Sequence, residues 1–179
     1  TAVAAGHIVT FATGRSWSGT RKVVEWLGIA PELIVTANGA TIMARDDASP
    51  EGYVRDVVET FDASEVLAQL EVQLPEANFL VELGDGTRLY NNFVDDWDLS
   101  APNAFHVDID EMKGRDVTRI VVVSDDHAGD EFASFVDRMG LHQVSYAVGW
   151  SAWLDIAPQG IDKSTALEQV RERLGVDPG

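Results

Sequence analysis

Residues 7–28, "HIVTFATGRSWSGTRKVVEWLG", decide the fold class. Residues 7–12 are a short apolar, β-rich run that stops at Thr13-Gly14-Arg15-Ser16. Beyond it Trp17, Thr20, Val24 and Leu27 recur at helical spacing, and Gly28 can terminate the helix. The next apolar stretch, "LIVTANGATIMA" (residues 33–44), reads as two short strands around the turn pair Asn38-Gly39. This β–loop–α–β order predicts an α/β fold, with a parallel sheet and helices packed on it. It also puts the loop after the first strand at that strand's carboxyl end, where open α/β sheets bind ligands.

Further along the chain the texture changes. "RDDASPEG" (residues 45–52) is a polar loop and "YVRDVVETF" (residues 53–61) reads as a strand. Asp62 and Glu65 predict a capping box for a helix whose inner face is Val66, Leu67, Leu70 and Leu74. "NFLVELGDGTRLYNN" (residues 78–92) predicts a hairpin turning at Asp85-Gly86, and "VTRIVVVSD" (residues 117–125) a buried strand. Phe132, Phe135, Val136 and Met139 fall at helical spacing before Gly140, and "QVSYAVGWSAWLDIA" (residues 143–157) supplies one or two more strands. This α+β middle part, with its hairpin, reads as a separate small domain. The last helix starts near Asp162, lines Ala166, Leu167, Val170 and Leu174 on one face, and closes at Gly175.

The 179 residues are 45% hydrophobic, enough to bury a core. No apolar run approaches the eighteen residues of a membrane-spanning helix, and the first residues lack the basic start of a secretion signal. The absence of cysteine removes disulfides, thiolate nucleophiles and Cys-ligated metal sites, and fits a cytoplasmic location. A net charge of -17 disfavours nucleic acid and anionic membranes as partners. A phosphate ligand would therefore need a local positive pocket within an acidic surface. No feature of the sequence specifies an oligomeric state.

Two short stretches can build such a pocket. "FATGRS" offers a hydroxyl at Thr13, a flexible backbone at Gly14, a cation at Arg15 and a second hydroxyl at Ser16, where a strand gives way to a helix. Backbone N–H groups at such a place can hold phosphate, and the same residues also make an ordinary turn with a Ser N-cap. In "GIDKSTAL" (residues 160–167), Asp162 is a sound N-cap, but Lys163 places a cation at the positive end of the helix. That opposition costs about 0.3–1 kcal/mol, less than the attraction between an ammonium and a partly desolvated phosphate. A solvated surface lysine is the other reading. Asn38-Gly39 reads as a turn, or as backbone that a ligand can approach because Gly39 has no side chain.

Other groupings carry less chemistry. "GIDKST" lacks the glycine before the lysine that a phosphate-binding Walker loop needs. Asp108 and Asp110 mimic a nucleophile-plus-acid pair, without a following glycine-rich turn. His7, His106, His127 and His142 have no metal-ligand spacing, and Asp95, Asp96 and Asp98 read as a solvated acidic loop. Trp97, Trp150 and Trp153 suit either buried packing or a sugar-binding surface.

Taken in order, "GHIVTFATGRS", "LIVTANGATI" and "LDIAPQGIDKSTALEQVRERLGV" resemble the haloacid dehalogenase superfamily of phosphatases, nearest its Cof-type branch. The resemblance implies a partial Rossmann-like core, residues 1–59 and 158–179, with residues 60–157 as an inserted α/β cap that chooses the substrate. It implies that Thr13 hydrogen-bonds the transferring phosphoryl group and that Lys163 offsets charge on nucleophile and phosphate. Gly14, Arg15, Asn38 and Gly39 would lie beside a small phosphorylated metabolite, in some members a sugar phosphate. The family's first motif, with its nucleophilic aspartate, would lie upstream of "TAVAAG", and its fourth, with acidic Mg²⁺ ligands, beyond "LGVDPG". Neither is in this sequence. The expectation is an internal slice of a longer magnesium-dependent phosphatase, with its Mg²⁺ ligands outside the slice and no turnover on its own. A non-catalytic phosphate-ester binding module and a phosphomannomutase-like phosphomutase are the alternatives.

Overall fold

The computed structural model describes residues 2–94, 99, 101–124, 144–148 and 153–177. The chain divides into two compact units, Thr1–Glu59 with Ile161–Gly179, and Thr60–Gly160. The fold class is mixed α/β in both.

The first unit contains α1 (Trp17–Leu27), β1 (Leu33–Thr36), β2 (Thr41–Arg45), β3 (Tyr53–Val58) and α4 (Lys163–Arg173). Ser16 caps α1 by accepting the Gly19 N–H, and Gly28 ends it at φ 62° with its own N–H directed at Val24 O and Glu25 O. Trp17, Thr20 and Val24 are buried as their spacing predicts, but Leu27 is 45% exposed, so the buried stripe stops a turn early. β1, β2 and β3 form an antiparallel sheet in that order. Among the described residues of this unit, parallel pairing is one bridge, Ala12 with Val35, supported by Val35 N–H to Phe11 O and Thr13 N–H to Val35 O. The α/β fold thus mixes parallel and antiparallel pairing, with residues 88–90 and 104–106 also parallel in the second unit, and connection length explains the mixture here. Residues 13–32, including α1, are long enough to cross over, whereas Ala37–Gly39 between β1 and β2 leaves room only for an antiparallel return. All four residues of β1 are buried, with alternate side chains going to opposite faces. Ile34 packs with Trp17, Val24, Met43 and Tyr53. Leu33 and Val35 pack with Ile42, Ala166 and Val170, the inner face of α4.

The second unit contains β4 (Phe61–Asp62), α2 (Ser64–Gln73), β5 (Asn78–Leu83), β6 (Arg88–Tyr90), β7 (Ala104–His106), α3 (Ile109–Met112), β8 (Asp116–Val123), β9 (Val144–Val148) and β10 (Trp153–Pro158). The strands run β7-β6-β5-β8-β10-β9, with β4 also beside β8. One face of this sheet packs Phe79, Val81, Ile120, Val122, Leu154 and Ile156 against Leu67, Leu70 and Met112 of the helices. The alternate positions hold Leu80 and Val121 together with four buried charged residues, Arg88, Glu82, Arg119 and Asp155. Glu82 stands opposite Arg88 on one side and Arg119 on the other, and Arg119 Nη2 meets Asp155 Oδ2 at 2.8 Å.

The Asp85-Gly86 hairpin forms as its turn chemistry predicts. Gly86 adopts φ 88° and Asp85 Oδ1 accepts the Thr87 N–H at 2.8 Å. The Asp62–Glu65 capping box does not form. Asp62 is taken up by β4, the N-cap position falls to Ala63, and Asp62 Oδ1 accepts the Ser64 N–H instead. Asp108 caps α3 in a box with Glu111, and Asp110 pairs with Lys113 at 2.7 Å, so both aspartates have structural partners. His106 packs edge-on against Tyr90. Asp95, Asp96, Trp97, Asp98, His127, the helix expected around Phe132 to Met139, His142 and Trp150 lie outside the described residues.

Candidate functional site

The residues singled out in the sequence gather around the three-residue turn Ala37–Gly39. Thr13 sits where residues 11–13 leave the sheet. Its N–H donates to Val35 O at 3.1 Å, and its carbonyl accepts the Asn38 N–H at 3.1 Å. Two residues on, the Arg15 carbonyl accepts the Ala37 N–H at 3.0 Å. The loop is therefore laced to the turn by two backbone hydrogen bonds. Thr13 Oγ1 accepts the Arg15 N–H at 3.1 Å, which tightens the loop around the threonine. Thr13 and Gly14 are half-buried and Arg15 is exposed.

The turn has an uncommon backbone. Ala37, Asn38 and Gly39 have φ of 48°, 55° and 110°, so three successive residues are on the positive side, two of them not glycine. The Asn38 side chain lies over Gly14. A side-chain carbon built on Gly14 would stand 2.7 Å from Asn38 Oδ1. On the other flank Gly39 abuts the start of α4, where a side-chain carbon on Gly39 would overlap the Asp162 carbonyl.

Helix α4 starts at Lys163 because Asp162 caps it. Asp162 Oδ1 accepts the Thr165 N–H at 2.8 Å and the Ser164 hydroxyl at 2.7 Å, and the Thr165 side chain returns to the Asp162 N–H at 3.0 Å. The Thr165 N–H and then the Ser164 hydroxyl hold the Asp162 carboxyl below the usual carboxylate range. Lys163, the first helical residue, is exposed. It shares that end of the helix with the partial positive charge of the helix dipole.

Thr13 and Gly14 thus meet Asn38, Arg15 meets Ala37, and Gly39 meets Asp162, the residue before Lys163. Sequence reasoning missed Ala37, since alanine gives no hint of a positive φ. It also gave Asp162 only its cap, where the structure adds the carbonyl that Gly39 faces. Such a cluster can receive an anion. Among the described residues no group of three or more His, Asp or Glu comes together that would hold a metal ion.

A family model for haloacid dehalogenase-like hydrolases matches residues 1–179, and the chain belongs to that family. Solved structures share its fold. A haloacid dehalogenase-like hydrolase from B. subtilis superposes with a TM-score of 0.75 at 18% identity, over 98% of this chain and 70% of that one. A sugar phosphatase of HAD subclass IIB gives 0.74 at 13% identity, over 98% and 66%. A protein from Thermotoga maritima gives 0.69 at 16% identity, over 97% and 65%. The chain therefore spans about two-thirds of the length of these relatives. Comparison with curated protein sequences finds no match.

Proposed function

We propose that this chain carries the phosphate-binding half of a Cof-type, magnesium-dependent phosphatase site for a small phosphorylated metabolite. Residues 1–59 and 158–179 act as the core, and residues 60–157 as the cap that selects the substrate. The observation that carries this reading is the lacing of the Thr13 loop, and the seating of the Lys163 helix, on one turn of a haloacid dehalogenase-like hydrolase. The similarity to a structure described as a sugar phosphatase supports a sugar phosphate as the substrate class.

In this reading Thr13 Oγ1 donates to a phosphoryl oxygen, and neighbouring backbone N–H groups help to hold it. Lys163 offsets negative charge as the bond to the leaving group breaks, with Arg15 at the rim. These groups stabilise charge and supply no attacking atom. The attacking carboxylate is expected outside this sequence. The Mg²⁺ ligands are expected there too.

The 179-residue chain is expected to bind orthophosphate without hydrolysing p-nitrophenyl phosphate. Lys163→Ala is expected to weaken binding about 10- to 100-fold, the loss of one charge-assisted hydrogen bond of roughly 1.5–3 kcal/mol. Equal binding by the wild-type and Lys163→Ala chains would overturn the site. Adding flanking sequence and Mg²⁺ is expected to restore hydrolysis. Retention of the ester without phosphate release would favour a binding module, and transfer of phosphate within one sugar would favour a mutase.

A further inference from the structure

Gly39 has a reason to be glycine beyond its backbone angle. Gly28, Gly52 and Gly175 also have positive φ, of 62°, 72° and 64°, but a side-chain carbon on any of them would face open space. On Gly39 the same carbon would overlap the Asp162 carbonyl oxygen and carbon. Gly39 is also buried, so the direction a side chain would take is filled by protein and is closed to a ligand. The carbonyl it faces anchors the first turn of α4, accepting the Ala166 N–H at 3.2 Å and the Thr165 hydroxyl at 2.9 Å. The next residue after that carbonyl is Lys163.

We propose that Gly39 is a positioning residue of the phosphate site. Its bare α-carbon seats the Asp162 carbonyl and so fixes where Lys163 stands relative to Thr13. The inference rests on the phosphate-site reading above. The turn touches both partners. Asn38 N–H holds the Thr13 carbonyl, and one residue later Gly39 receives the helix end. Because the turn is short, a single peptide unit separates the backbone seat of the Thr13 loop from that of the Lys163 helix. An alanine at 39 needs the Asp162 carbonyl to retreat until it stands at least 3.0 Å away, the closest approach that real side-chain carbons keep. Lys163 would move with it. A misplacement of about 1 Å in a charge-stabilising site can cost roughly 100-fold in rate, and the loss in binding is expected to be smaller.

The test compares Gly39→Ala with Gly52→Ala in the 179-residue chain. Gly52→Ala places an alanine at positive φ without the collision. Amide exchange is followed at Thr165 and Ala166, and orthophosphate affinity is followed by NMR titration. Gly39→Ala is expected to speed exchange at both amides and to weaken phosphate binding at least 10-fold, with Gly52→Ala within about 2-fold of wild type on both. Unchanged exchange in Gly39→Ala overturns the proposal, and so does faster exchange with unchanged phosphate affinity. Should Gly39→Ala not fold, Thr165→Val removes the hydroxyl that holds the same carbonyl. Phosphate affinity unaltered in that variant also overturns the proposal. Failure of the phosphate reading itself shows separately, as wild-type and Lys163→Ala chains that bind orthophosphate equally. Exchange needs no ligand and still decides the seat.

Discussion

Replacing Asp155 with alanine tests what holds the charged row in the sheet of the second unit. The Arg119 and Asp155 side chains are only 7% and 8% exposed and meet at 2.8 Å, so bulk solvent and salt screen them little. Removing the carboxylate leaves a guanidinium on a sheet face it shares with Leu80 and Val121. Breaking a buried pair from one side costs about 3–5 kcal/mol. Glu82 stands directly opposite Arg119 on β5 and keeps a second carboxylate nearby, so the lower end, about 3 kcal/mol, is expected. At about 1.4 kcal/mol per factor of ten, that corresponds to roughly 100-fold in an opening equilibrium. The assay is native-state amide exchange at Val121, Val122 and Ile156, on the two strands the pair joins. Exchange should speed up on the order of 100-fold in Asp155→Ala. The double variant Arg119→Met/Asp155→Leu should return to within about 10-fold of wild type, because an apolar pair has no charge to desolvate. A single variant that changes exchange less than about 3-fold, or a double variant no better than the single, would refute this account.

Asp162→Ala removes the acceptor for the Thr165 N–H and the Ser164 hydroxyl, and should cost about 1 kcal/mol in urea unfolding. The same carboxyl has a folded-state pKa below its ordinary value, so its contribution is complete above about pH 4 and is lost as pH falls through the depressed value. Carboxyl-carbon NMR should give a midpoint below the ordinary carboxylate value, and a midpoint at or above it would contradict the capping geometry. Leu70→Ala, at a fully buried position between α2 and the sheet, should destabilise by roughly 2–5 kcal/mol by calorimetry, the range for a cavity that relaxes only in part.

How much of this was legible depended on whether the cause was local. The helix from Trp17 is written in consecutive residues, and so is the Asp85-Gly86 turn, where φ of 88° suits glycine, whereas the strand expected over residues 7–12 is realised only as the Ala12–Val35 bridge. The inner face of α4 follows from spacing alone. Strand direction was legible only in part. It depends on which strand β1 meets, and β2 reaches it by a turn too short to cross over. The Asp62 cap was lost for a similar reason. Pairing of β4 with β8 claims Asp62, and the partner strand lies far along the chain. The candidate site divides the same way. Thr13 and Lys163 stand out by residue type and position, whereas the meeting of Gly39 with Asp162 joins two distant segments that no local pattern connects.

The turn that joins them is costly in isolation. A left-handed non-glycine residue costs roughly 1–2 kcal/mol, somewhat less for Asn, so Ala37 and Asn38 together oppose the conformation by a few kcal/mol. Three backbone hydrogen bonds act against that cost: Ala37 N–H to Arg15 O, Asn38 N–H to Thr13 O, and Ala40 N–H to Ala37 O. At about 0.5–1.5 kcal/mol each they offset it with little to spare. Two of the three run to the Thr13 loop, so the turn keeps its shape only while that loop is in place. The loop in turn is held there by the turn and by Val35. Loop and turn therefore form as one unit. A substitution that loosens either is expected to disturb Lys163 as well, even where it touches neither the lysine nor its helix.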